Sequence, residues 1–260
     1  MTAEFEAFRG ARERDVVGPL GDAALVGTFW ISGRTELDAF PGTWEPDSDN
    51  DVSLRYTPAE DNPVTRAGQP VSGAVALKPV TVASGDVLLL EGQRLRATAI
   101  HWPGIGRAVR LWDQADPAVA DLAGIEAFPY DSRWRIEGVF TPLDLTIDYR
   151  YRGHGGRHEG RHVVGDVALT IAGRHYTLLA TRGATGLTTV FGDATNGKVT
   201  YGGGRFAPIV LAEGSRAVVD FNFATLPPCA FSPHFDCPLP PEQNVIRHAV
   251  EAGEKQIVRR

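Results

Sequence analysis

The last quarter of the chain gathers the side chains best suited to chemistry. One cluster is the run D-A-T-N-G-K-V-T-Y-G-G-G-R-F at 193–206, followed by V-V-D-F-N-F at 218–223. If Lys198 to Phe206 is a strand, Tyr201, Gly203 and Arg205 face one way, and Asp220 and Asn222 share the face opposite Phe221 and Phe223. Pairing of these two strands lets Arg205 bridge to Asp220. The glycines at 202–204 admit a bulge or a ligand near the backbone. Tyr201, Arg205, Asp220 and Asn222 are therefore the candidate ligand-binding residues, with Arg205 able to grip a carboxylate or phosphate through two parallel hydrogen bonds. The same residues also suit a buried ion pair that pins the C-terminal segment, since structural networks collect such groups too.

A second cluster is Cys229, His234 and Cys237 in P-P-C-A-F-S-P-H-F-D-C-P-L-P-P. Three readings stand side by side. The eight-residue cysteine spacing departs from the usual C-x-x-C zinc arrangement and lacks a fourth ligand. A disulfide would close a short loop, but a reducing compartment disfavours it. Two buried thiols packed among prolines is the plainest. A nucleophilic thiol is a further reading, and it requires a base such as His234 or His248 within reach. His154, His158 and His162 stand at i, i+4 and i+8, but the glycines between them oppose a helix, so a solvated hairpin loop is expected there. No metal site and no cofactor motif is assigned: the chain has no G-x-S-x-G, H-E-x-x-H, phosphate-binding loop or dinucleotide-binding unit.

The elements that must hold these groups are strands. Trp134, Ile136 and Phe140 fall on one strand face. Leu143, Leu145, Ile147, Tyr149 and Tyr151 alternate with Asp144, Thr146, Asp148 and Arg150, a period of two with one wet face. Val167, Leu169 and Ile171 turn through Ala172-Gly173 into Tyr176, Leu178 and Ala180. Asn196-Gly197 reads as a two-residue hairpin turn, and Ala217 to Phe223 as the last strand. Upstream, residues 23–31 read as a strand buried on both faces. Residues 40–70 read as a proline-rich loop with one strand near Val52–Tyr56. Further strands are expected at 74–82, 87–90, 94–102 and 107–113, with turns at 84–86 and 91–93. Residues 2–14 form a short helix, with Phe5 and Phe8 on one side. Asp116-Pro117 opens another that ends near Gly124.

Strands every 8 to 15 residues with turn chemistry between them predict a mainly β protein, an antiparallel β-sandwich or barrel. The expected division is two β lobes: 1–127 with the N-terminal helix, and 128–260 with the polar motifs.

Hydrophobic residues make up 43% of the chain and charged ones 22%, which describes a globular protein. The net charge of −6 shows no basic patch, so nucleic acid is not an expected partner. No apolar run reaches the roughly 18 residues that span a bilayer, so no membrane partner is expected either. The charged first residues lack the apolar core of a secretion signal, and the expected location is the cytoplasm.

The blocks D-A-T-N-G-K-V-T-Y-G-G-G-R-F, D-F-N, P-P-C-A-F, C-P-L-P-P-E-Q-N and A-G-E-K resemble the bacterial and archaeal family called domain of unknown function 1684. The resemblance is densest over 191–255. It implies a mostly β cytoplasmic protein of unassigned activity and brings no catalytic residues with it. Phe223-Ala224-Thr225 departs from the family's charged residue and Tyr after D-F-N.

The functional expectation is a protein that binds a small anionic molecule in a pocket near these motifs. The alternatives are a hydrolase using Asp or His at the same pocket, and a structural or interaction module with no catalytic site.

Overall fold

The computed structural model describes residues 2–80, 86–90, 94–152, 158–183 and 186–260. The expected turns at 84–86 and 91–93 fall wholly or largely outside this set. So does the loop carrying His154, while His158 is described only as backbone. The chain is mainly antiparallel β, and among the described residues one long helix stands at the N-terminus, α1 (Thr2–Val16). Its contacts group it into two units, 15–120 and 1–14 with 121–260.

The unit 15–120 holds strands β1 (Leu25–Ile31), β2 (Thr35–Leu37), β3 (Phe40–Pro46), β4 (Leu54–Pro58), β5 (Val64–Arg66), β6 (Gln69–Pro70), β7 (Val75–Leu77), β8 (Val87–Leu90), β9 (Leu95–Trp102) and β10 (Gly106–Asp113). They form a six-stranded sheet, β1-β10-β9-β8-β5-β6, and a four-stranded sheet, β2-β3-β4-β7. Phe40, Trp44, Leu54 and Tyr56 from the smaller sheet share one core with Leu88, Leu90, Ala97, Ala99 and Val109 from the larger.

Two expectations change here. β1 is the edge strand of its sheet, so Phe29 stays 37% exposed and the strand is not buried on both faces. The stretch 40–70 carries four strands rather than one, with prolines at strand ends and margins where no ladder donor is lost. Trp112 donates its indole N–H to the buried Thr98 hydroxyl at 2.9 Å, which places a polar residue inside the larger sheet's face.

Helix α2 (Pro117–Asp121) lies in 15–120 except for its last residue, and the other unit holds β11 (Leu122–Ala127), β12 (Arg135–Arg152), β13 (His158–Ile171), β14 (Arg174–Arg182), β15 (Leu187–Asp193), β16 (Arg205–Leu211), β17 (Arg216–Asp220), β18 (Cys237–Pro238), β19 (Val245–Ile246) and β20 (Glu254–Arg259). Asp116 caps α2 through the Ala118 N–H at 2.8 Å. The helix stops earlier than expected because Leu122 enters β11, which pairs with β20.

β12 pairs with β17 through its first residues and with β13 along most of its length. The strands β12 to β17 thereby close into an antiparallel barrel. Val167, Leu169, Leu178, Ala180, Phe191, Ala207, Ile209, Ala217 and Val219 fill it at every second position. The turn at Ala172-Gly173 has φ of 48° and 76°, the left-handed pair that a tight hairpin demands.

The first helix joins this unit rather than the N-terminal one. Phe5 packs on Tyr130 and Phe223 with ring centroids at 5.6 and 5.9 Å, and Phe8 on Phe223 at 5.0 Å. The last barrel strand ends at Asp220, and Phe221–Phe223 is a 3-10 turn instead of a continued strand. From there to Gly253 the chain is a strap of short turns and two-residue strands.

Candidate functional site

The run 193–206 is not a hairpin with a two-residue turn. β15 ends at Asp193 and β16 begins at Arg205, and the polar side chains between them bond to one another and to the backbone. The Asn196 amide oxygen accepts from the Asp193 N–H, and its NH2 group donates to the Tyr201 carbonyl at 2.7 Å. The Thr195 hydroxyl lies 2.8 Å from one Asp193 carboxylate oxygen and 2.8 Å from the Thr200 hydroxyl. Only Gly197, at φ +74°, takes the left-handed conformation the N-G pair suggests. Because 198–204 is loop, strand parity does not relate Tyr201 to Arg205.

Arg205 is wholly buried, and its partner is Asp193 rather than Asp220. Ile209 pairs with Val219 across β16 and β17, so Arg205 lies beyond the paired stretch and points inward, while Asp220 lies on the outward parity. Arg205 Nη2 stands 3.5 Å from Asp193 Oδ1. The guanidinium donates to the carbonyls of Val250 at 2.9 Å, Glu254 at 3.2 Å and Ala252, and it lies over the Phe191 ring at 5.1 Å. Asp193 Oδ2 accepts from the Val250 N–H at 2.6 Å. Burial pulls the Arg205 pKa down and the Asp193 charge opposes that. This pair ties the strap to the barrel end with nearly all its donors spent on the chain itself.

Asp220 and Asn222 form a separate set. Asp220 caps the 3-10 turn, accepting from the Asn222 N–H at 3.1 Å and the Asn222 amide at 2.9 Å. Asn222 in turn clamps the Asp131 backbone, accepting from its N–H and donating to its carbonyl, both at 2.9 Å.

Tyr201 belongs to a third set. Its hydroxyl donates to the Cys229 carbonyl at 3.2 Å and lies 3.6 Å from Cys229 Sγ. The Arg152 guanidinium stacks on its ring at 5.1 Å. The Cys229 N–H points at Cys237 Sγ, 3.3 Å away. Burial, together with the Cys229 contact, drives the Tyr201 pKa up. Both cysteines are thiols. Among the described residues, no three His, Cys, Asp or Glu side chains gather as a metal site.

A cleft of about 470 Å³ opens at the start of β12, lined by Arg133, Trp134, Arg135, Glu137, the turn at Thr170–Ala172, and His248 from the strap. Trp134 wedges its ring against Phe221 at 6.4 Å and lies beside His248 at 6.3 Å and 37°. Arg133 is held by Asp131 through two hydrogen bonds, of 2.6 and 2.8 Å. The side chains of Arg135 and His248 make no hydrogen bond or ion pair among the described residues. Elsewhere, His162 Nε2 contacts Asp144 Oδ1 at 2.7 Å, with both side chains well exposed on the barrel surface.

Sequence reasoning passed over Asp193, Asn244 and Glu254, although each lies inside one of the quoted motif blocks. It had no signal for the Arg152 stack or the cleft, which join residues far apart in the chain.

No helix is long and apolar enough to cross a membrane among the described residues. Residues 120–255 match the model of the family described as protein of unknown function (DUF1684). The solution NMR structure of an uncharacterized protein from Haloarcula marismortui is similar at 32% identity, covering 51% of this chain and 76% of that one, with a TM-score of 0.42. No curated protein matches the chain.

Proposed function

This chain belongs to the DUF1684 family of proteins of unknown function, and within that family we propose that it binds a small organic anion carrying a flat ring in the cleft at Trp134. The observation that carries the reading is Arg135, a guanidinium with its donors uncommitted, in the lining of a cleft that it shares with the neighbouring Trp134 and His248 rings. The volume of about 470 Å³ falls in the range of ligand pockets. A carboxylate or phosphate ester takes two parallel N–H bonds from a guanidinium, and the flat part of the ligand lies on the indole face. Glu137 stands in the same lining and disfavours a heavily charged anion, so a monoanion fits better than a polyphosphate.

Native mass spectrometry of freshly purified protein tests this. The expected result is a small-molecule adduct that Arg135→Glu loses without a change in melting temperature, because the Arg135 side chain has no structural partner to forfeit. An adduct retained by Arg135→Glu overturns the reading. So does the absence of any adduct combined with an unmoved Trp134 indole NMR resonance on addition of aromatic carboxylates.

A further inference from the structure

The contacts around Cys229 go beyond a pair of packed thiols. Cys229 is half-buried in the 3-10 turn Pro228–Ala230, while Cys237 is 4% exposed in β18, whose two residues pair with Tyr151 and Arg152. The two cysteines touch, with Cys229 N 3.3 Å from Cys237 Sγ. The Tyr201 hydroxyl stands 3.6 Å from Cys229 Sγ, and the Arg152 guanidinium lies over the Tyr201 ring at 5.1 Å. Cys229 is thus partly exposed as a residue, Cys237 is buried against it, and the Tyr201 hydroxyl lies beside the first.

We propose that Cys229 and Cys237 form a redox pair, in which Cys229 reduces a hydroperoxide and Cys237 resolves the product as an intramolecular disulfide. The Cys229 thiolate attacks the distal peroxide oxygen of ROOH. An S–O bond forms, the O–O bond breaks, and the leaving alkoxide takes a proton to give ROH and a sulfenic acid. The Cys237 sulfur then attacks that sulfenic sulfur, displacing hydroxide, which takes the Cys237 proton and leaves as water. The protein is oxidised by two electrons and the hydroperoxide reduced by two. A small dithiol returns the pair to thiols by exchange through a mixed disulfide.

The thiolate is available near neutrality. The Cys229 pKa is lowered to about 7, first by the hydrogen bond with Cys237, then by Tyr201 and the Arg152 charge, with burial opposing. Tyr201 can also donate to the departing oxygen, the role that a positioned donor plays wherever negative charge develops. Short proline-bounded turns hold Cys229 and Cys237 on either side of the strap segment 229–237, keeping the resolving sulfur close.

The test is hydrogen peroxide added to the reduced full chain under native conditions. One equivalent should remove both thiols and lower the intact mass by about 2 Da, the loss of two hydrogens. Peptide mapping of the unaltered protein should find the peptides of Cys229 and Cys237 linked. Cys237→Ser should stop at a species about 16 Da heavier that dimedone traps, and Cys229→Ser should leave Cys237 unreactive. The rate of Cys229 alkylation should rise with a midpoint near pH 7, and Arg152→Gln should move that midpoint upward, which a merely structural role does not require. Thiols that survive excess peroxide overturn the proposal, as do independent over-oxidation of each cysteine and a disulfide formed only between two molecules.

Discussion

Arg205 and Asp193 face each other at 3.5 Å with both side chains fully excluded from solvent, and between them they hold the backbone at 250–254. The pair closes the open end of the barrel by binding the chain's own strap.

Removing either partner leaves a buried charge and unmatched backbone groups. Arg205→Ala and Asp193→Ala should each cost on the order of 3–5 kcal/mol, as broken buried pairs do. The double variant should cost clearly less than the sum, because the second change no longer strands a charge. Urea denaturation of the four proteins measures this. Additive losses would mean that the two residues act independently. Asp220→Ala should cost no more than about 1–2 kcal/mol, the scale of a lost cap.

The strand-based parts of this architecture were legible because their side chains alternate. Leu143 to Tyr151 and Val167 to Ile171 show which face is wet before any register is known. Residues 198–204 escape a period-two reading because Asn196, Thr195 and Thr200 bond locally to backbone and to one another, producing a loop in which strand parity has no meaning. Arg205 stands out in the sequence, but its partner Asp193 does not, because parity places residues on faces while register alone says who stands opposite. The strap carries no period at all, since its prolines and 3-10 turns are shaped by what they cover. The cleft at Trp134 joins 133–137, 170–172 and 248, a juxtaposition created only by barrel closure.

Asn244 illustrates what the strap supplies. β14 and β15 pair only at Thr181–Thr188 and Arg182–Leu187, then diverge. The Asn244 amide fills the gap, accepting from the Leu179 N–H at 2.8 Å and donating to the carbonyls of Val190 at 2.8 Å and Leu179 at 3.3 Å. Asn244→Ala should cost about 3 kcal/mol or more, since several buried groups lose partners worth about 1–3 kcal/mol each. Asn244→Asp should be worse, although it is nearly the same size, because a carboxylate then confronts carbonyl oxygens. Equal or milder loss for Asp, by chemical denaturation at pH 7, would make the site one of volume rather than hydrogen bonding.

Gly253 sits between two of the carbonyls that Arg205 holds, with φ +73°. A Cβ there would lie 2.6 Å from the Ala224 carbonyl oxygen and 2.7 Å from that of Phe221. Both obstacles are backbone and cannot swing aside. Gly253→Ala should therefore destabilise far beyond the roughly 1 kcal/mol of left-handed strain alone. Gly214→Ala, at φ +69° with open space around it, is the matched control and should show only the strain. Melting temperatures that fall equally in the two variants would remove the steric argument.

Glu254 gives the pH dependence. Its side chain is 1% exposed, with one oxygen 3.3 Å from Arg12 Nε and the other accepting from the Leu226 N–H at 2.7 Å. Burial raises its pKa, and the Arg12 charge offsets this only in part. A carboxyl whose folded pKa is raised favours folding while it is protonated. That contribution is fully present below the unfolded pKa and is lost as pH rises through the folded one. Glu254→Gln removes the titration. The melting temperature of the parent minus that of Glu254→Gln should therefore be greatest in acid and shrink as pH climbs above the ordinary glutamate value of about 4. Subtraction cancels the titration of the other carboxylates. A difference that grows with pH would mean that attraction to Arg12 outweighs desolvation, and that helix α1 is fastened to the start of β20 by an ion pair stronger than the cost of burying it.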